Sequence, residues 1–139
     1  MSSTRAIAIA LTLAATGTVA AAQQRPLRAD PYHAYLVAGR VLGPGDAPIA
    51  GAVVERVTGP RDARPYSRGA YREVTSGDGG FRFAFRGLGL STGRTWHLAV
   101  RRPGCPVEIQ TVTLRREIVP GTGREGDVAT GVVLRVPAC

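Results

Sequence analysis

The sequence predicts an all-β domain, a seven-strand antiparallel Greek-key sandwich with a small barrel as the other reading of the same strands, and three observations carry that prediction. Short apolar or alternating runs recur between clusters of Gly, Pro, Asp and Ser, the spacing of strands joined by turns. Beyond residue 22, no window of roughly 11 residues keeps a 3.6-residue apolar period without a Gly or Pro interrupting it. The segment Thr75–Phe85 passes from a polar Gly/Asp turn straight into phenylalanines at positions 81, 83 and 85.

The elements follow in order. Ser2–Arg5 gives a short positive start, Ala6–Val19 is apolar, and Ala20, Ala21 and Ala22 are the small residues of a cleavage site. Residues 1–22 therefore read as a signal peptide, which places the mature chain in the periplasm or outside the cell. A membrane anchor is the other reading, but the apolar run is shorter than the roughly 20 residues of a spanning helix, and the mature chain contains no longer one. Residues 23–34 form an extended lead-in, and residues 35–139 form the domain. Strands are predicted over Tyr35–Leu42, Ala52–Val57, Tyr71–Thr75, Gly80–Phe85, Thr95–Arg101, Val107–Leu114 and Thr130–Val136. Gly43–Asp46 and Gly87–Gly93 are turns, residues 58–70 an exposed loop rather than a strand, and Pro120–Asp127 a Gly-rich connection.

Alternation assigns faces. Phe81, Phe83 and Phe85 point inward opposite Arg82 and Ala84; Trp96, Leu98 and Val100 point inward opposite His97, Ala99 and Arg101. Val132, Leu134 and Val136 repeat the pattern. Phe83 is central, so its truncation is expected to be the most damaging single change.

Removing the first 22 residues leaves 117, enough for one domain and one modest core. The only cysteines, Cys105 and Cys139, both lie in the exported part, where a disulfide forms and persists. Two structural thiols are the alternative. The mature chain carries 17 Arg, no Lys and 10 acidic residues, a net charge of +7 that attracts anions. The arginines are scattered without interleaved aromatics, and nucleic acid is not expected as a partner. An anionic glycan, another envelope component or a protein fits the electrostatics better.

No catalytic residue and no cofactor is expected. Ser67, Ser76 and Ser91 lack a nucleophile elbow. Asp78 reads as a turn former, since neither it nor Asp46 stands among the oxygen ligands calcium prefers. His97 reads as a solvent-facing strand residue, with a general base or metal ligand as its functional alternative. For ligand binding the candidates are Arg61, Arg64, Tyr66 and Arg68, with Tyr71 at the base of their loop, because guanidinium groups grip carboxylates or sulfates and Tyr66 offers a stacking face. A merely solubilising loop is the plainer reading of the same residues.

Residues 41–54, Thr75–Phe83 and Leu98–Gly104 resemble the plan of carboxypeptidase regulatory-like domains over roughly residues 36–115, with Gly39, Gly51, Ala52, Thr75, Asp78 and Gly79 at its fixed points. That resemblance implies a transthyretin-like sandwich and a non-catalytic extracytoplasmic module for binding or structural interaction. Gly39–Leu42, Pro48–Glu55 and Gly69–Arg72 are also similar to the opening of intradiol ring-cleavage dioxygenases. Those enzymes hold non-haem iron with two tyrosines and a His-x-His pair on a strand. The similarity implies Tyr71 and His97 as iron ligands of an atypical enzyme, the alternative function, although Trp96-His97-Leu98 supplies one histidine where two are needed. The chain ends in Leu134–Cys139 and lacks the terminal motif of transthyretin-like hydrolases.

Overall fold

The computed structural model of the chain describes residues 32–67, 71–88 and 93–139. The predicted signal peptide and nearly all of the predicted lead-in, together with Arg68, lie outside the described residues. Nine strands are present: β1 (Tyr32–Leu42), β2 (Val53–Gly59), β3 (Asp62–Pro65), β4 (Arg72–Val74), β5 (Gly80–Leu88), β6 (Thr95–Arg101), β7 (Glu108–Thr113), β8 (Arg115–Ile118) and β9 (Glu125–Arg135). A single 3-10 turn, Pro44–Asp46, is the only helical element among the described residues.

The strands form two sheets packed as a sandwich. One runs β5-β1-β9-β8; the other runs β3-β2-β6-β7, with β4 also paired to β2. The seven-strand, purely antiparallel expectation is corrected in two ways. Two further strands exist, and β1 pairs with β9 in parallel, from Tyr35 opposite Asp127 to Leu42 opposite Arg135. The register of that pair shifts between Val37 and Gly39. Gly39 is required there, because a Cβ would collide with the Val132 carbonyl.

Residues 58–70, expected to be a loop, contain β3. Gly59-Pro60-Arg61 turns the chain so that Asp62–Pro65 pairs back on β2, with Thr58 Oγ1 donating to the Arg64 carbonyl at 3.1 Å. Similarly, β9 begins at Glu125, inside the predicted Gly-rich connection, because β8 supplies it with an antiparallel partner. The Gly/Asp corner forms as predicted: Asp78 Oδ1 accepts from Ser76 Oγ at 2.5 Å and from the Gly80 amide at 3.0 Å. Those two bonds hold the Asp78 carboxyl below the usual carboxylate range.

The interior takes Val37, Val41, Val54, Phe81, Phe83, Trp96, Leu98, Val100, Leu134 and Val136, so the predicted inward faces of β6 and β9 are observed. Phe85 is the exception. It is 41% exposed and stacks on Tyr35 at 5.7 Å near the open end of the sheet, outside the dry core. On the outer face of the first sheet, Ala34, Leu36 and Val128 form a second apolar cluster under Val119.

Cys105 and Cys139 are joined by a disulfide with Cα atoms 5.7 Å apart across 34 residues. It ties the last residue to the turn after β6. Arg102 donates to the Pro137 carbonyl at 2.9 Å beside it, which fixes the same corner. The Cys105→Ser/Cys139→Ser variant is expected to lose about 2–4 kcal/mol in denaturant unfolding, while the unreduced parent shows no titratable thiol. Phe83, 5% exposed and 6.1 Å from the Trp96 ring, gives the second prediction: Phe83→Ala is expected to cost about 3–5 kcal/mol in the same measurement, and a loss below about 1 kcal/mol contradicts its place in the core.

Candidate functional site

One end of the sandwich interior is lined with aromatic and polar side chains where an all-apolar core would be simpler. Positions 52, 54 and 56 of the β2 region share the inward face, and the last of them is Arg56, only 4% exposed. Its guanidinium carbon lies 3.8 Å from the Tyr66 ring centroid, 4.3 Å from Trp96 and 5.2 Å from Tyr71. Such cation–π contacts contribute about 0.5–2 kcal/mol each, more when water is excluded.

Local backbone pairing places those rings. The Arg56 amide donates to the Tyr71 carbonyl at 2.9 Å, and the Tyr66 amide donates to the Arg56 carbonyl at 3.0 Å. The excursion between β3 and β4 is thus pinned at both ends to one residue, which sets Tyr66 and Tyr71 side by side against its side chain. From the opposite sheet β1 contributes Tyr35, whose ring meets Trp96 at 5.1 Å and Tyr71 at 5.8 Å. Trp96 and Tyr71 meet edge to face at 5.0 Å.

The polar groups are linked. Arg56 and Tyr35 both hydrogen-bond the Tyr71 side chain. Burial, reinforced by Tyr71, pushes the Tyr35 hydroxyl up to about 12, with Arg56 opposing. Burial likewise pulls Arg56 below its usual range, and the three tyrosines pull it back. At the start of β1, His33 Nε2 lies 3.7 Å from Asp127 Oδ2, both residues being buried. Neither atom, nor Trp96 Nε1, has a hydrogen-bond partner among the described residues. Separate from this group, on the outer face of the first sheet, an open cleft of about 220 Å³ is lined by Leu36, Arg82, Ala84, Phe85, Val119 and Pro120.

The sequence-derived candidates divide. Tyr66 and Tyr71 come together, ring centroids 5.9 Å apart. Arg61 and Arg64 do not join them. Arg61 is exposed in the turn before β3, and Arg64 is held by Asp62, Nη2 to Oδ2 at 2.6 Å. The Arg64 hydrogen bonds draw the Asp62 carboxyl down to about 2. Arg56, Tyr35, His33 and Asp127 were missed. The period-2 alternation through Val54 was the available signal for Arg56, while nothing local distinguished the other three.

The iron-ligand alternative of Tyr71 with His97 is corrected by strand parity. His97 faces away from the interior and meets Thr111 of β7, Nδ1 to Oγ1 at 2.9 Å. The inward neighbours are Trp96 and Leu98, both fully buried, so an indole and an isobutyl group stand where an inward His-x-His pair would be. Among the described residues no three His, Cys, Asp or Glu are grouped to hold a metal. A metal ion ~5 Å from Arg56 would also be repelled by about 3 kcal/mol per unit charge at an effective dielectric of ~20. These residues do not fit iron.

No family model and no curated protein matches the sequence. Solved structures similar to it include the dioxygenase domain of a dioxygenase carbohydrate-binding protein fusion from Streptomyces sp. SirexAA-E, at 20% identity and TM-score 0.50 over 82% of this chain and 86% of that one. Hydroxyquinol 1,2-dioxygenase from Pseudomonas putida DLL-E4 matches at 14% identity and TM-score 0.51 over 76% of this chain and 57% of that one. Catechol 1,2-dioxygenase from Pseudomonas arvilla C-1 matches at 12% identity and TM-score 0.52, over 78% and 53% respectively. The chain therefore spans little more than half the length of the latter two enzymes. At these identities the likeness is one of fold.

The elevated Tyr35 pKa has a pH signature. The native state holds this proton more tightly than an unfolded tyrosine with a pKa near 10, so the associated stability is complete below pH ~10 and is lost as pH rises toward about 12. Unfolding free energy is expected to fall by up to about 3 kcal/mol over that interval, and Tyr35→Phe is expected to flatten the fall. An identical pH profile in the variant contradicts the assignment.

The fold likeness to intradiol dioxygenases corrects the resemblance to carboxypeptidase regulatory-like domains, and with it the non-catalytic envelope- or glycan-binding role drawn from that resemblance.

Proposed function

We propose that this chain is an atypical intradiol-dioxygenase-like protein that engages a hydroxylated aromatic ring at the Tyr35–Tyr66–Tyr71–Trp96 end of its sandwich. The observation that carries the reading is the convergence of four aromatic rings with linked hydroxyls at one end of the interior. Flat rings stack on or meet such a surface edge to face, and phenol hydroxyls exchange hydrogen bonds with those of a ligand. The catechol and hydroxyquinol dioxygenases among the fold neighbours supply the ligand class. No step is routed through iron, because the inward positions of β6 are Trp96 and Leu98. An extracytoplasmic location belongs to the same proposal and is supported by the disulfide.

Trp96 is the single tryptophan of the chain and lies inside the site, so its emission reports on occupancy. Catechol is expected to change that emission saturably, and Tyr71→Phe is expected to weaken the response about three- to tenfold, the value of one hydrogen bond. Emission that drifts without saturation, in parent and variant alike, overturns the reading.

A further inference from the structure

We propose that two copies of the chain join through the outer edge of β7 into one continuous antiparallel sheet, with Thr111 of each copy at the two-fold axis. The inference is independent of any ligand at the aromatic end.

Hydrogen-bond phase decides which main-chain groups β7 leaves at its edge. Among the described strands, β7 ends its sheet and pairs with β6 alone. The Leu114 amide donates to the Arg94 carbonyl at 2.6 Å, in register with Thr113 opposite Thr95 and Val112 opposite Trp96. Opposed residues of an antiparallel pair alternate between those that exchange both hydrogen bonds and those that exchange none. Val112, Gln110 and Glu108 therefore turn their main-chain groups toward β6, whereas Ile109, Thr111 and Thr113 turn theirs away from it. The side chains of these three lie on the outer face of the sheet, opposite Ala99, His97 and Thr95. His97 Nδ1 meets Thr111 Oγ1 at 2.9 Å, so that hydroxyl is directed back to β6 and does not compete for the edge.

The other edges of the two sheets are guarded. The Val41 amide donates to the Gly79 carbonyl, and the same phase argument places Arg82, Ala84 and Arg86 on the outward edge of β5. A second copy centred at Ala84 would set Arg82 against Arg86, and like charges directly opposite are destabilising. β8 has four residues, and two of them are arginine. β3 and β4 have four and three residues, and β3 contains Asp62, Arg64 and Pro65. Short length, charge, Pro and bulges are the devices that keep sheet edges from pairing. β7 has none of them: it is six residues long, keeps an unbroken register with β6, and is free of charge and Pro from Ile109 to Thr113.

A second copy is the occupant because this edge is complementary to itself. About an axis at Thr111, Thr111 meets its own counterpart and Ile109 meets Thr113. Each residue with outward main-chain groups thus faces another such residue, and Gln110 faces Val112 on the inner side. Thr–Thr and β-branched cross-strand pairs are favourable, and no like charges are opposed. The contact uses the same strand of both copies and so closes on itself. With the remaining edges guarded, association stops at the dimer.

Sedimentation of the secreted chain over rising concentration is expected to show a reversible dimer. Both copies are cationic, so the dimer is expected to tighten as salt screens their repulsion. Thr111→Lys sets two ammonium groups against each other at the axis and is expected to weaken the dimer about tenfold, with the parent's far-ultraviolet spectrum retained. Two double variants test the register: at low salt Ile109→Lys/Thr113→Lys is expected to associate more weakly than the parent, and Ile109→Lys/Thr113→Glu at least as tightly. Where Thr111→Lys fails to fold, these two decide. A parent that stays monomeric up to millimolar concentration, or that grows beyond a dimer, overturns the proposal. A dimer unchanged by Thr111→Lys places the contact elsewhere and overturns it too, and equal association of the two double variants overturns the axis at Thr111.

Discussion

The structure depends on one buried positive charge. Arg56 has its side chain inside a sandwich, and taking a guanidinium out of water costs several kcal/mol. The compensation is local and visible: three ring faces within 5.2 Å, a hydrogen bond to Tyr71, and main-chain bonds that anchor Tyr66 and Tyr71 to the same residue. Tyr35 joins from the other sheet, so the charge organises both layers. An apolar residue of similar size would pack there at no electrostatic cost, and such replacements are often neutral or stabilising by about 1–4 kcal/mol. Packing alone does not account for an arginine at this position.

Fold likeness and chemical likeness separate at β6. Side chains of a strand alternate between faces, so a motif shifted by one residue moves all its functional groups to the wrong side. His97 is within a residue of the inward positions, yet it bonds Thr111 on the outer face while Trp96 and Leu98 fill the interior. The architecture shared with dioxygenases survives because it is set by the alternation itself. The ligand set depends on which residues occupy the inward phase, and here those residues are apolar.

Much of the fold was legible because alternation reports burial directly. The inward faces of β6 and β9 and the corner at Asp78 follow from residue type and spacing alone. What was illegible depends on partners distant in sequence. β3 is polar, and it is a strand only because the edge of β2 offers hydrogen bonds to it. β8, a charged stretch outside every predicted strand, is a strand because β9 pairs with it. Phe85 has the inward phase but is 41% exposed, covered on one side by Tyr35, an outcome no local pattern reveals. The parallel β1–β9 pair joins residues about ninety apart. The site was half legible for the same reason: Tyr66 and Tyr71 stood out as aromatics in an arginine-rich stretch, whereas Arg56 stood in a strand among valines, where charge is read as outward.

The covalent clamp and the buried cation sit toward opposite ends of β6. The disulfide joins the turn after β6 to the chain terminus, while Arg56 and its rings lie near the start of β6. Closure of a 34-residue loop is worth about 4 kcal/mol in the chain-entropy account, comparable to the several kcal/mol of desolvating one guanidinium. A domain of this size has a net stability of only about 5–15 kcal/mol, so the covalent clamp at one end is of the magnitude needed to tolerate a buried cation at the other. That cation is what separates this sandwich from an ordinary apolar core.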